Sequence, residues 1–84
     1  MSDVRSDVRR LTPDERRRVI VNGMIEAMRK HDTIFPSRVE IAAECAVLTS
    51  VDTVRRYFPV MEDLRDAACA ADGGVARRVK AFRG

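Results

Sequence analysis

The sequence has no tryptophan, one tyrosine and three phenylalanines, so any core it builds is mainly aliphatic. Its two cysteines, Cys45 and Cys69, are too few and too far apart for a disulfide framework. Each sits beside alanine, in Glu44-Cys45-Ala46 and Ala68-Cys69-Ala70, where a thiol behaves as a small apolar side chain. Both are expected to be buried structural thiols. His31 is the one histidine, and alone it does not complete a metal site with them. There is no Ser/His/Asp set, no glycine-rich phosphate loop and no carboxylate pair with a matching acid or base. The expectation is therefore a non-enzyme with no catalytic residue, metal or cofactor. No apolar run approaches the roughly 20 residues that cross a bilayer. The first residues alternate Asp and Arg without the apolar stretch of a secretory signal. A cytoplasmic protein with no membrane partner is expected.

What the chain does have is charge and aliphatic periodicity. At 84 residues it is expected to form one small domain around one core. Apolar residues make up 45% and charged residues 35%, which suits a soluble helical domain and argues against disorder. The net charge of +3 is unevenly spread. Residues 1–32 carry a net +2, residues 33–72 a net −3 and residues 73–84 a net +4. The two ends thus supply the cationic surface and are natural phosphate-contacting arms. Solvated surface arginines are the plainer alternative.

Residues 1–11 repeat Ser-Asp-Val-Arg without a sustained apolar face and read as a flexible arm. Thr12-Pro13-Asp14-Glu15 is a helix start, with a capping box and proline at the first position. Apolar residues then recur at Ile20, Met24, Ala27 and Met28, predicting a helix over Pro13–Lys30. Gly23 inside it points to close helix packing. Ser37-Arg38-Val39-Glu40 repeats the capping box, and a second helix should turn Val39, Ile41, Ala42, Cys45 and Ala46 to an apolar face. After a break at Leu48-Thr49-Ser50, Ser50 caps a third helix, Val51 to about Tyr57. Val54 and Phe58 should point inward, and Pro59 stops the helix. A fourth helix is predicted over Val60–Ala71, ending at Asp72-Gly73-Gly74. Val75, Val79 and Phe82 form a stripe on a short last helix, opposite Arg77, Arg78 and Lys80. The fold class is all-α: a small bundle of about five helices whose short second and third helices form a helix-turn-helix. Its organisation is an arm over 1–11, the helix-turn-helix domain over 12–72 and a basic helix over 73–84.

From about Arg18 to Ala67 the chain resembles the N-terminal DNA-binding domain of the TetR family of repressors. Ile20 to Met28 is similar to that family's first helix, and Ser37 to Ala42 to the start of its second. Thr53-Val54-Arg55-Arg56-Tyr57-Phe58 resembles the third helix, and Pro59-Val60-Met61-Glu62-Asp63-Leu64 the opening of the fourth. Four features depart from the pattern. Ala46 replaces the turn glycine, and the Ala46–Ser50 connection looks about two residues longer than an ordinary turn. Arg55 stands where the family has a DNA-contacting tyrosine, and Met61 where it has a phosphate-contacting lysine. A TetR-type ligand-binding and dimerisation domain would also take about a hundred further residues, so a regulator without a small-molecule sensor is expected. Such an economical regulator suits a phage or other mobile element.

The candidate DNA-facing residues are Ser50, Val51, Thr53, Arg55 and Arg56 on the third helix. Residues near the start of a recognition helix reach base edges first, and arginine can bond guanine through two hydrogen bonds. Ser37 and Arg38 begin the second helix, where amides and a hydroxyl can hold a phosphate; plain capping is the alternative. Arg16, Arg17 and Arg18 form a basic run at the start of the first helix, placed for a flanking phosphate. Asp52 is repelled by phosphates and is read as a helix-start residue. Phe58 is assigned to the core, and Met24, Met28 and Met61 to packing. The expected function is a sequence-specific DNA-binding regulator, a repressor by resemblance, with double-stranded DNA as its partner. It would be a monomer or weak homodimer whose pairing DNA assists. The alternative is a protein-interaction module that binds RNA polymerase or another regulator, which the acidic central segment and altered turn favour.

Overall fold

A computed structural model of the chain describes residues 11–83; the arm expected over residues 1–11 lies, apart from Leu11, outside them. The described residues form five helices and no strand, as the all-α reading expects.

Helix α1 spans Pro13–His31. Its start is a reciprocal cap: the Glu15 amide donates to Thr12 Oγ1 at 3.1 Å, and the Thr12 amide donates to Glu15 Oε1 at 2.9 Å. The Thr12 amide holds the Glu15 carboxyl below its usual range, since only the carboxylate accepts fully there. The helix ends at Asp32, whose φ of 51° is left-handed, with Arg29, Lys30 and His31 in the last turn.

Helix α2 spans Arg38–Glu44 and carries a second capping box, Ser37 with Glu40. It stops at Glu44, and Cys45 is already extended. The apolar run through Cys45 and Ala46 therefore does not continue the helix. Helix α3, Val51–Tyr57, is capped by Ser50 and ends where Phe58 leaves helical geometry ahead of Pro59. Helix α4 spans Met61–Ala71, one residue shorter at its start than the pattern predicts. Helix α5 spans Gly73–Arg83. Asp72 serves both, ending α4 and accepting from the Gly74 and Val75 amides at 2.8 and 3.2 Å. The two glycines read as a helix stop thus lie inside α5.

The core is aliphatic. Ile20, Met24 and Met28 on α1 are fully buried, with Ile41 on α2, Val54 on α3 and Leu64 on α4. Each such side chain contributes about 1.5–3 kcal/mol when taken from water. Helix α1 packs on α2 and α4, α2 on α3, and α5 on α4. Val75 and Val79 of α5 join the core, while Phe82 stays 66% exposed. The approach of α1 to the end of α2 needs Gly23. A Cβ there would lie 2.6 Å from Cys45 Sγ and 2.9 Å from the Ile41 carbonyl oxygen.

Several packing expectations change. Val39 is 65% exposed, because it lies two residues from Ile41 and so on the other side of a short helix. Ala46 is exposed and Ala42 half-buried. Phe58, assigned to the core, is half-buried against its edge, since it follows the last helical turn of α3. Met61 also packs at the edge. Cys45 and Cys69 are half-buried free thiols rather than fully buried ones.

Candidate nucleic-acid interface

The third helix is fastened on one side and open on the other. Val54 is fully buried and fixes α3 against the core. Ser50, Arg55 and Arg56 are exposed, whereas Val51 and Thr53 are half-buried. Ser50 Oγ accepts from the Thr53 amide at 3.1 Å and lies 2.9 Å from Thr53 Oγ1. The two hydroxyls therefore cap the helix first, yet each keeps hydrogen-bonding capacity, because a hydroxyl can donate once and accept twice. Arg55 lies 3.8 Å from Asp52 in a mostly exposed pair. Such pairs contribute about 1 kcal/mol at most, so a phosphate or base edge competes easily for this guanidinium. Arg56 makes no ion pair among the described residues.

The start of α1 lies beside this helix. Arg16 joins Leu48, Ser50, Thr53, Arg56 and Tyr57 around a shallow depression of about 420 Å³. Arg17 places its guanidinium 5.7 Å from the Tyr57 ring centre and 3.4 Å from Asp14. Arg16 and Arg17 of α1 thus share one surface with Ser50, Thr53, Arg56 and Tyr57. Around its polar hydroxyls stand two guanidinium groups, Arg16 and Arg56, that have no acidic partner among the described residues.

Two residues of this surface, Leu48 and Tyr57, were not among the candidates read from the sequence. Arg16 belongs to the arginine run read for a flanking phosphate, whereas Tyr57 reads from the sequence as core and is half-buried at the edge of the depression. Leu48, 96% exposed in the connection, gave no signal beyond its position. No protein-family model, curated protein or solved structure matches this chain.

Ser37 and Arg38 sit apart from that depression. Ser37 is engaged in its capping box. Arg38 Nη2 donates to the Pro59 carbonyl at 2.8 Å, while its Nε is buried without a partner among the described residues. Arg38 is therefore a strut between the start of α2 and the α3–α4 junction. The connection between α2 and α3, Cys45–Ser50, is closed from within: Thr49 is buried and its hydroxyl donates to the Val47 carbonyl at 2.7 Å. Burial pushes the Cys45 thiol above its usual range, partly offset by Thr49. Protonated, that thiol is a weak nucleophile.

Lys30 reaches Glu44 at 3.0 Å and ties α1 to the end of α2. His31 Nδ1 lies 3.7 Å from Glu40. Among the described residues no group of three metal-binding side chains comes together. No described helix is long and apolar enough to cross a membrane.

Proposed function

We propose that this chain is a sequence-specific DNA-binding regulator, a repressor of TetR-like helix-turn-helix type, that reads double-stranded DNA with α3. The observation that carries the reading is the open side of α3, where Arg56 shares a depression with Arg16 of α1 and Arg55 stands exposed. Arginine is the side chain best suited to guanine edges and to phosphates. In this reading Arg55 and Arg56 contact bases, Ser50 and Thr53 contact the backbone or a base, and Val51 packs on a thymine methyl. Arg16 and Arg17 hold flanking phosphates. Ser37 adds a phosphate contact through the start of α2, and Arg38 positions that start through Pro59. Such a protein acts in the cytoplasm on duplex DNA and needs no cofactor. Two half-sites would be bound by two copies paired weakly on the DNA.

Replacing Arg55 and Arg56 together with alanine tests the reading. Specific binding should weaken by about 1–3 kcal/mol for each arginine that reads a base, with helicity by circular dichroism unchanged. Unchanged affinity for the preferred duplex would remove α3 from the interface.

A second reading is favoured by the net −3 of residues 33–72. That charge repels phosphate and suits a protein partner, such as RNA polymerase or another regulator, on the same fold.

A further inference from the structure

Away from α3 the chain exposes an aromatic pair. Phe35 precedes α2 and Phe82 lies near the end of α5, and they are 53% and 66% exposed. Their rings meet edge to face, with centres 5.1 Å apart and planes at 77°. They border an open groove of about 550 Å³ between the Asp32–Phe35 segment and the last turns of α5, with Ile34, Arg78 and Ala81 in its walls. The pair is held in place. The Arg65 guanidinium lies 4.6 Å from the Phe35 ring centre, and Arg65 Nε donates to the Ile34 carbonyl at 3.0 Å. Arg78 closes the groove end on Asp32 at 2.8 Å. A large apolar pair fixed in water by its surroundings marks a contact surface.

The size and charge of the surface select its occupant. Two partly exposed rings and a few aliphatic atoms offer a few hundred Å², whereas a stable interface needs roughly 600 Å² or more on each side. A second copy meeting the groove by a two-fold axis would also bring two segments of net +4 together. A single helix laid in the groove fits the area as a weak, transient contact. Arg65 and Arg78 stand at the groove, and Arg77 lies one turn before Ala81 on the same side of α5. Asp32 is the acidic exception, and Arg78 already neutralises it.

We propose that this groove docks an acidic amphipathic helix of a partner protein, its apolar residues seated on Phe35 and Phe82 and its carboxylates on Arg65 and Arg77. The site is separate from α3 and stands whether or not α3 reads DNA.

The test uses the full chain, labelled with ¹⁵N, and a synthetic amphipathic helical peptide of about 15 residues, with leucine on one face and glutamate on the other. Titration should shift amide signals at Ile34, Phe35, Ala81 and Phe82, and Phe82→Ser should weaken binding at least tenfold. Phe82 is exposed, so this variant keeps the fold; Arg77→Glu, also exposed, should weaken binding several-fold by charge alone. A peptide with lysine in place of glutamate should not bind. Duplex DNA titrated in parallel should bind wild type and Phe82→Ser equally, which separates this site from α3. Shifts confined to other helices would overturn the proposal, as would equal binding of the lysine peptide or unchanged binding of Phe82→Ser. Self-association of the free protein at micromolar concentration, abolished by Phe82→Ser, would assign the groove to a second copy and equally overturn it.

Discussion

Gly23 occupies the point where α1 meets the end of α2, and two effects oppose each other there. Alanine in a helix interior is favoured over glycine by about 1 kcal/mol. Against that, the added methyl would press on Cys45 Sγ and on the backbone oxygen of Ile41, which cannot swing away. Overpacking of this kind costs about 1–3 kcal/mol. Gly23→Ala should therefore be net destabilising in urea unfolding, and a more stable variant would show that the two helices do not approach this closely. Phe58 shows the limit of reading single residues. An aromatic beside a helix suggests core, yet its place after the last turn of α3 leaves it half-buried. Phe58→Ala should cost less than Leu64→Ala, which empties a fully buried position and should cost about 2–5 kcal/mol. The reverse order in thermal melts would place Phe58 inside.

At the scale of elements, the helices were legible because their starts are written in short polar signals. Thr12 with Glu15, Ser37 with Glu40, and Ser50 all cap as their spacing implies. Ends were harder to read. Apolar residues continued past Glu44 without a helix, because Cys45 turns extended before the connection. The Gly73-Gly74 pair looked like a stop, but Asp72 caps a new helix there through its own carboxylate. The role of Arg38 was also hidden, since its partner is a carbonyl 21 positions away. Ser50 matters doubly, as cap and as candidate DNA contact. Ser50→Ala should lower stability by about 0.5–2 kcal/mol. It should weaken DNA binding by more than Thr12→Ala, which removes a comparable cap at a residue that is given no DNA contact. Equal drops in affinity would mean that Ser50 acts only by capping.

For the whole molecule, charge explains more of the proposed function than shape does. The acidic middle and basic ends were plain in composition; the way α1 carries its arginines to α3 was not, because it depends on how the helices cross. Helix α5 carries the apolar stripe legible in its sequence as well as its cations. Val75 and Val79 are buried, so truncating it removes core as well as charge, and only point substitutions of Arg77 or Lys80 report on its cations. The direct test of α3 and α1 as a DNA-reading surface is the salt dependence of binding to the duplex upstream of the gene, followed by fluorescence anisotropy. Several arginine–phosphate contacts predict that log K falls linearly with log salt, with a slope of about −3 or steeper. A slope near zero, or no binding at low salt, would contradict the account.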